Sequence, residues 1–423
     1  MYTFYNLFSF NLLLLSVISV SSQYIADVTK FGAIGDGKTD DSSAIVAAIS
    51  SITSHVEGIL FFPTGSYLTA PFNLTSNCEV QLSNATLLAT TNWDSWSIIA
   101  PLPSYGRGRD FPGPRYTAFI HVVNCTNVTI RGIGGSSMNF VDARGQDWWQ
   151  GKKNGTLKVT PGHLFESMWS SSIHIHDVTF LNSPFWFTHL WSSQRIHIHD
   201  IVEIAPRDSP NTDGFDPDSS SDVLIERVSV INGDDCIAVK SGWDQFGVSY
   251  GVPSTNITFR DSICDSGNVI AVGSEMSGGV DGVFVSNITG IRGGEGLNVK
   301  SSLGRGGYVR NVVFTNSVLY NVKVALRAGD NYGDDPGPID KSLIPIISGI
   351  FIDNITAGIG ATIGQAGFFL GLDNTNETKG MITGVSITNV DLGNPPLGWS
   401  CVNVTGTSYN VKPKPCSELF PPN

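Results

Sequence analysis

The chain has 423 residues, a formal net charge of −12 at pH 7 and six cysteines. An acidic chain without a basic run is a poor partner for nucleic acid or for an anionic membrane surface, so neither is expected as a partner. The cysteines are too few to replace a hydrophobic core at this length, and disulfides would only pin loops. The composition therefore predicts a soluble protein with a buried core, which we expect to act as a monomer.

The N-terminal 22 residues have the pattern of a secretory signal peptide. An apolar run from Leu12 to Val20 ends in small residues, which predicts cleavage near Ser22, although the first lysine comes only at Lys30. A membrane anchor is the alternative, but the run is well short of the ~20 residues that span a bilayer. We therefore expect residues 1–22 to be removed and residues 23–423 to be secreted to the extracellular space or the cell wall.

Two further features fit an exported protein. The cysteines suggest the pairs Cys236 with Cys264, Cys401 with Cys416, and Cys78 with Cys125, although sequence alone does not settle connectivity. Asn-X-Ser/Thr triplets are acceptors for N-glycosylation, and several would arise by chance in a chain so rich in Asn and Thr. The candidate acceptors are Asn73, Asn84, Asn124, Asn127, Asn154, Asn256, Asn287, Asn354, Asn376 and Asn403.

A Gly-rich stretch precedes a short helical pattern near the start of the mature chain. Asp40 and Asp41 stand just before Ser42-Ser-Ala-Ile-Val-Ala-Ala-Ile, which predicts an N-capped amphipathic helix over one end of a solenoid. An uncovered end would expose strand edges and apolar core. A phosphate-binding loop is the weaker interpretation, because no Gly-Lys-Ser/Thr closes the Gly-rich stretch.

A five-residue pattern recurs through the rest of the chain. Apolar residues at its first and third positions face a core, the residues between them face out, and Asn or Asp at its end favours a turn. We therefore predict an all-β, single-domain right-handed parallel β-helix, with loops 242–255 and 328–343 walling a groove and a Pro-rich tail over 394–423. The pattern begins at Val128, Ile173, Ile196, Val223, Ile257, Val283, Val312, Ile350 and Val385.

A second register joins two acidic stretches. Asn211-Thr-Asp-Gly-Phe-Asp aligns with Gly233-Asp-Asp-Cys-Ile, so that Asp213 and Asp235 occupy equivalent positions on adjacent coils. Later segments continue this register at steps of 22, 33, 27 and 29 residues. The aligned apolar residues are Phe215, Ile237, Ile270, Leu297 and Leu326.

The aligned acids suggest acid–base chemistry. Neighbouring strands lie ~4.8 Å apart, and two carboxylates that close repel each other, which raises one pKa. In a regular strand Asp234 would point away from Asp235, so we expect Gly233 to allow a bend that brings Asp234 to the same patch. Such a trio suits hydrolysis of a glycosidic bond. The alternative is a polar ladder that caps strand turns.

Other polar columns have a plainer interpretation. His174, His176, His197 and His199 alternate outward on two strands and are interpreted as surface histidines, because no third metal ligand is apparent. No Ser-His-Asp set, cofactor or metal site is expected. Lys240 and Lys300 share a column and are either candidates for binding sugar carboxylates or solvated surface lysines.

These motifs resemble the polygalacturonase-type glycoside hydrolases, pectin-degrading right-handed β-helices, over nearly the whole mature length. Asn211-Thr-Asp and Gly233-Asp-Asp-Cys match two motifs of that family in order, and the Phe31-Gly-Ala-Ile-Gly-Asp-Gly opening is similar as well. Gly273-Ser-Glu-Met and Gly304-Arg-Gly-Gly-Tyr look like the exo-acting and plant-type branches.

The resemblance implies an inverting mechanism on galacturonan, an acidic polysaccharide. Asp234 is implied as general acid, and Asp213 and Asp235 as the pair that activates water. Lys300 matches a lysine that holds the galacturonate carboxylate, and Tyr332 a tyrosine that contacts substrate. The full set of substrate-binding candidates is Asn211, Asn268, Asn298, Lys300, Arg327 and Tyr332.

Two departures from the family pattern leave alternatives open. Asn268 replaces the histidine of Gly-His-Gly, and Asn298 replaces the arginine of Arg-Ile-Lys, although Arg327 lies one coil further in the same column. We expect a secreted, metal-independent hydrolase of α-1,4-galacturonosyl linkages, with exo action as the suggested mode. The alternatives are a weak or inactive pectin-binding wall protein, a hydrolase of rhamnogalacturonan or xylogalacturonan, and a calcium-dependent pectate lyase.

Overall fold

The computed structural model describes residues 23–333, 340–372 and 380–420. The nine strand patterns stack in one column in the predicted register, from Val128 opposite Ile173 to Ile350 opposite Val385. The second apolar column, from Phe215 to Leu326, also pairs as predicted. Both columns confirm the all-β, right-handed parallel β-helix.

The parallel strands form three sheets around the core, and long strands join sheets where one coil face runs into the next. Sheet 1 contains Tyr24–Asp27, Gly58–Phe62, Cys78–Ser83, Thr126–Ile133, Ser171–His176, Gln194–His199, Ser221–Glu226, Ser254–Asp265, Val280–Lys300, Tyr308–Leu319, Ile346–Ala357, Ile382–Asp391 and Val404–Lys412. Sheet 2 contains Asp36–Asp40, Gly65–Thr69, Ala85–Ala89, Phe140–Asp142, Thr179–Leu181, Val202–Ile204 and Ser229–Ile231. Sheet 3 contains Phe72–Asn73, Ile120–Val123, Phe165–Met168, Thr188–Trp191, Phe215–Asp218, Asp235–Val239, Asn268–Val272, the end of Val280–Lys300, Val322–Gly329, Gln365–Leu370 and Leu397–Val402.

Three α-helices, four short 3-10 helices and a small antiparallel strand pair decorate the described coils. Helix α1 spans Ser42–Ile52, α2 spans Gln146–Lys153 and α3 spans Asp244–Tyr250. The 3-10 helices are Val28–Phe31, Trp93–Ser95, Ser136–Met138 and Ser417–Leu419, and the antiparallel strands are Ile98–Ile99 and Arg115–Tyr116. The helix α3 lies within the predicted loop 242–255, so that loop is partly helical.

The turn residues explain why the strand pattern ends in Asn or Asp. In eight of the nine patterns the last residue adopts a left-handed conformation, with φ between 52° and 57°, which Asn and Asp tolerate better than most residues. Their side chains also bond from coil to coil, because the Asn287 amide donates to Asp261 Oδ1 at 2.7 Å and the Asn354 amide to Asn316 Oδ1 at 2.9 Å. The recurring turn thus ends the sheet 1 segment at the same place in successive coils.

Helix α1 covers the N-terminal end, as predicted, and buries Ala44, Ile45, Ala48, Ile49 and Ile52. Asp40 accepts the Ser42 amide at 2.9 Å, which is the expected contact. The side chain of Asp41 does not cap the helix. It accepts the amides of Ile34 at 2.7 Å and Gly35 at 3.1 Å, so it fastens the Gly-rich stretch to the helix start.

The C-terminal stretch is more regular than predicted. Residues 394–423 were expected to form a Pro-rich tail, but Leu397–Val402 and Val404–Lys412 pair in register with strands of the preceding coil. The tail prediction is therefore wrong for these residues, which extend the β-helix. The alternation of apolar Val402 and Val404 with polar residues is too short for sequence reasoning to separate a last coil from an extended tail.

Two of the three expected disulfides form, between Cys236 and Cys264 and between Cys401 and Cys416. The third prediction is wrong, because Cys78 and Cys125 are buried free thiols. The register partner of Cys78 on the next coil is Val128, which lies three residues beyond Cys125. Cys125 occupies the preceding turn, where its thiol is 3.2 Å from the carbonyl oxygen of Val123.

The predicted signal peptide and Asn376 lie outside the described residues. Of the other glycosylation candidates, Asn403 is half-buried and the rest are exposed. Across the described ranges no helix is long and apolar enough to cross a membrane.

The thiol assignment predicts how the protein reacts with a thiol reagent. Burial raises the pKa of Cys78 to about 12 and also raises that of Cys125, and a buried neutral thiol is a poor nucleophile. We expect no reaction of the native protein and two reactive thiols per chain after unfolding without reductant. Zero thiols in the unfolded protein would mean that Cys78 and Cys125 are joined.

Candidate active site

The three aligned aspartates lie together on adjacent coils at the edge of sheet 3. The amide of Gly214 donates to the carbonyl of Asp235 at 2.9 Å, which joins the coil of Asp213 to the next. Carboxylate oxygens of Asp213, Asp234 and Asp235 all lie within 4.8 Å of one another. Asp213 and Asp235 are buried, and Asp234 is the more exposed of the three.

Close packing of glycines explains how Asp234 reaches this patch. A Cβ atom at Gly233 would lie 2.0 Å from the carbonyl oxygen of Ser209, and one at Gly267 would lie 2.8 Å from the Cα atom of Asp234. Only glycine allows these backbones to approach. The regular strand begins at Asp235, so Asp234 belongs to the preceding turn. The alternation of a strand therefore does not force its side chain to the face opposite Asp235.

Asp235 is held by two side chains from later coils. The Asn268 amide donates to Asp235 Oδ1 at 2.7 Å, and Lys300 Nζ donates to Asp235 Oδ2 at 2.6 Å. Asn268 is itself fixed, because its Oδ1 accepts the amide of Glu295 at 3.0 Å. The amide that replaces a family histidine therefore orients a carboxylate without titrating.

A second lysine lies inside the acidic cluster. Lys240 Nζ is 3.2 Å from Asp216 Oδ1, 3.5 Å from Asp213 Oδ2 and 3.5 Å from Glu275 Oε2. Lys240 is 2% exposed and Lys300 is 7% exposed, so neither is the solvated surface lysine that the sequence left open. Both compensate the charge of aspartates that the stacking brings together.

The pKa values of Asp213 and Asp234 remain raised despite these lysines. Burial, followed by the charges of Asp234 and Asp216, raises the pKa of Asp213 well above its usual value. Burial and the adjacent Asp235 raise the pKa of Asp234, while Lys300 and Lys240 oppose that shift. Burial alone would lower the pKa of Lys240, but its carboxylate neighbours raise it well above normal. The cluster therefore holds protons that isolated aspartates would release.

The remaining predicted residues surround the trio at different distances. Tyr332 lies beside Lys300, whose Nζ is 5.3 Å from the centre of the tyrosine ring. Asn211 contacts Lys152 of α2 through its side-chain oxygen. Tyr332 is therefore linked through Lys300 to Asp235, and Asn211 lies just before Asp213 in the chain.

Asn298 and Arg327 form a neighbouring pair, as the column predicted. Asn298 is buried, and its Oδ1 has no hydrogen-bond partner within the described part of the chain. Arg327 turns toward Glu295, with Nη1 3.2 Å from Oε1, and remains half-exposed. A guanidinium group is thus available one coil away from the position where the family has arginine.

Residues from a long loop complete the site, and the sequence analysis missed them. Arg109 Nε lies 2.6 Å from Glu275 Oε1, and its guanidinium stacks on Trp243 at 4.6 Å. Asp110 pairs with Lys152 on the other side. The only sequence signal was a charged run, Arg107-Gly-Arg-Asp, in the long interval between two strands.

The same loop covers the outer face of sheet 3 on the N-terminal side of the acids. Glu166 accepts Arg115 Nη1 at 2.9 Å and His189 Nδ1 at 2.9 Å. The hydroxyl of Tyr105 donates to Asp218 Oδ2 at 2.6 Å. Glu166, His189 and Asp218 are fully buried, so this part of the face is sealed from solvent.

Comparison with known proteins agrees with the fold and the motifs. Residues 58–415 match the glycosyl hydrolases family 28. A probable polygalacturonase of Vitis vinifera is 38% identical over 93% of this chain and 80% of its own length. A probable endo-xylogalacturonan hydrolase A of Aspergillus niger is 29% identical over 71% of this chain and 70% of its own length.

A solved structure gives the same architecture. The exopolygalacturonase of Thermotoga maritima superposes with a TM-score of 0.80 and 24% identity over 92% of this chain and 91% of that chain. At that identity the likeness concerns the fold. The family match spans most of the chain, and the chain is therefore a member of glycosyl hydrolases family 28, an enzyme that hydrolyses glycosidic bonds.

Proposed function

We propose that this enzyme hydrolyses α-1,4-galacturonosyl linkages of pectin, that it removes residues from a chain end, and that it inverts the anomeric configuration. The observation that best supports hydrolysis is that carboxylate oxygens of the three aspartates lie within 4.8 Å of one another. The identity with the Vitis vinifera probable polygalacturonase supports galacturonan as the substrate.

In the proposed mechanism Asp234 is the general acid. It is the most exposed of the three aspartates, and its raised pKa keeps a proton available for the leaving oxygen. Asp213 and Asp235 hold and activate the attacking water. Lys300 fixes Asp235 and, with Tyr332 beside it, contacts the sugar next to the cleaved bond.

Inversion needs a separate argument, because the carboxylates are close. Two-carboxylate inverting enzymes separate acid and base by ~6.5–9.5 Å, and retaining enzymes use ~5–5.5 Å. The spacing of the trio is therefore no argument for inversion, and the proposal of inversion rests on the resemblance of Asn211-Thr-Asp and Gly233-Asp-Asp-Cys to the motifs of the polygalacturonase-type hydrolases. Asn268 and Lys300 orient the carboxylate of Asp235, and Asp213 has one oxygen near Lys240 and the other without a hydrogen-bond partner among the described residues. We propose that these two carboxylates share the attacking water.

The sealed face supports exo action. The network of Arg115, Glu166 and His189 buries the face of sheet 3 on the N-terminal side of the acids, and the contact between Arg109 and Glu275 ties the covering loop to the coil that follows Asp235. We take this cover as closing one end of the groove. A polymer that passes through an open groove is cleaved internally, whereas a closed end accommodates only a terminal unit.

The acidic sugar requires positive charge near the site. Arg327 is half-exposed and lies one coil from Asn298, so it is the candidate to replace the missing arginine. Lys152 lies on the opposite side, next to Asn211, and lines a cavity of about 570 Å³ with Trp149. Both groups are paired with acids, Arg327 with Glu295 and Lys152 with Asp110, so a substrate carboxylate would compete with these acids for the positive charge.

A second candidate function is hydrolysis of xylogalacturonan. The absence of arginine at Asn298 and the similarity to the Aspergillus niger protein favour this candidate. A calcium-dependent lyase is disfavoured, because Lys240 and Lys300 already neutralise the carboxylates that would bind Ca²⁺.

We also propose that the protein is secreted and glycosylated. The two disulfides fit an oxidising compartment. Eight of the candidate acceptor asparagines are exposed, including Asn73 and Asn154.

The products of two polymers, homogalacturonan and xylogalacturonan, test the proposed reaction. Homogalacturonan should release monogalacturonate as the main product, with little early loss of viscosity, no unsaturated product and no inhibition by chelator. NMR from the start of the reaction should detect the inverted β-anomer first. A ladder of oligomers would refute exo action, preferential release from xylogalacturonan would favour the second candidate, and pectin binding without products would indicate a non-catalytic wall protein.

The role of Asp234 is tested by Asp234→Asn, which keeps the shape of the side chain and removes its proton. Loss of a general acid costs ~10²–10⁴-fold in rate, and kcat should fall in this range while the unfolding temperature is unchanged. Asp222→Asn is the matched control, because Asp222 is exposed and lies in a left-handed turn that Asn tolerates. Full activity of the Asp234 variant would remove the acid assignment.

The pH profile gives an independent test. A general acid works only while protonated, so activity should fall as pH rises through the raised pKa of Asp234. The charge of Lys300 lowers that pKa, so Lys300→Met should move the alkaline limb of kcat/KM to higher pH and lower its maximum. Lys323→Met, at an exposed position, should leave the limb in place. An unmoved limb in the Lys300 variant would contradict the assignment of that limb to Asp234.

A further inference from the structure

Four histidines form a compact array on the outside of sheet 1. His174 pairs in register with His197, and His176 with His199, on adjacent strands. The rings stack from coil to coil, with centroids 5.2 Å apart in the first pair and 4.9 Å apart in the second. The array is a separate feature from the aspartate site, which lies at sheet 3.

Three of these side chains are close enough to one another to hold one metal ion. His174, His197 and His199 each offer a ring nitrogen, and these nitrogens lie within 4.8 Å of one another. His174 Nε2 and His199 Nε2 are 2.7 Å apart. Each His-X-His pair lacked a third ligand in the sequence, and the pairing of the two strands supplies it.

Carboxylates behind the array fix the orientation of two rings. Asp200 Oδ2 is 2.6 Å from His199 Nδ1, and Glu226 Oε1 is 3.2 Å from His197 Nε2. A carboxylate on one ring nitrogen directs the lone pair of the other nitrogen outward, as is usual for metal-bound histidines. The nearby Arg227 is paired with both Asp200 and Glu226, so its charge is compensated.

We propose that His174, His197 and His199 bind one divalent transition-metal ion, of which Zn²⁺ is the representative. Imidazole nitrogens suit Zn²⁺, Cu²⁺ and Ni²⁺, whereas Ca²⁺ and Mg²⁺ require oxygen ligands. Three protein ligands leave a fourth position for water or another exogenous ligand. The histidines are half-buried, so an ion reaches them from solvent.

The ion would link two coils. His174 comes from one coil, and His197 and His199 come from the next. Because the three nitrogens meet only when the coils are stacked, metal binding would favour the folded state and raise the unfolding temperature with metal concentration.

The test is Zn²⁺ binding to full-length protein without a polyhistidine tag, stripped with chelator and measured by calorimetry in a non-coordinating buffer. We expect one ion per chain and a higher unfolding temperature with Zn²⁺. Replacing His174 and His199 together by Gln should weaken binding by more than about 100-fold. Asp200→Asn, at a residue that contacts His199 among the three ligands and also pairs with Arg227, should weaken it by about 10–100-fold. His55→Gln, an exposed histidine elsewhere, should bind like the wild type.

Several outcomes would overturn the proposal. These are no stoichiometric binding by the wild type, equal binding by the double variant, or loss of binding in His55→Gln. The unfolding temperature of the metal-free double variant, measured first, shows whether it folds. If it does not, the Asp200→Asn affinity and the visible absorption of bound Co²⁺ in the wild type decide, and an octahedral, weakly absorbing Co²⁺ spectrum would refute the site.

Discussion

The stacking register of the coils is the constraint on which the rest of the structure depends. A residue in one coil lies ~4.8 Å from the residue at the equivalent position of the next coil. A polar residue type that recurs at this position therefore forms a row of neighbouring side chains. The turn asparagines use this spacing to donate side-chain hydrogen bonds from coil to coil, as Asn287 does to Asp261. The same spacing brings Asp213 beside Asp235 and His174 beside His197.

Stacking acids in this way creates a charge problem that two lysines offset. Two buried carboxylates at this separation repel and lose hydration, and the compensating lysines follow Asp235 in its own coil, as Lys240, and two coils further on, as Lys300. Lys300 reaches back to Asp235, and Lys240 lies among three carboxylates, including Asp216. The compensation is partial, because Asp213 and Asp234 retain raised pKa values. Partial compensation suits an acid–base site. If the lysines compensated the carboxylate charges completely, the pKa values of the aspartates would return to their usual low range, and no aspartate would keep a proton to transfer.

The sequence predicted what is periodic and missed what is not. Both apolar columns were found with correct register, because each coil repeats the same alternation and the same turn residue. The Arg109 contact with Glu275 joins positions 166 residues apart through a loop without a repeat, so no pattern pointed to it. The wrong prediction of a Cys78–Cys125 disulfide has a related cause. The residue opposite Cys78 on the next coil is Val128, and the sequence did not show that Cys125 lies three residues before this position. Lys240 was in the correct column, but the column did not predict its burial between the carboxylates and the ring of Trp186.

The replacement of histidine by Asn268 separates two roles that one side chain fills elsewhere in the family pattern. An imidazole can orient a carboxylate and can also gain or lose a proton itself, whereas an amide can only orient the carboxylate. Asn268 keeps the first role, through bonds to Asp235 and to the amide of Glu295. Proton exchange in the proposed reaction is then left to the aspartates and to the electrostatic influence of Lys240 and Lys300. The replacement of histidine by Asn268 is therefore expected to alter the pH dependence of the proposed reaction, while the orientation of Asp235 is kept.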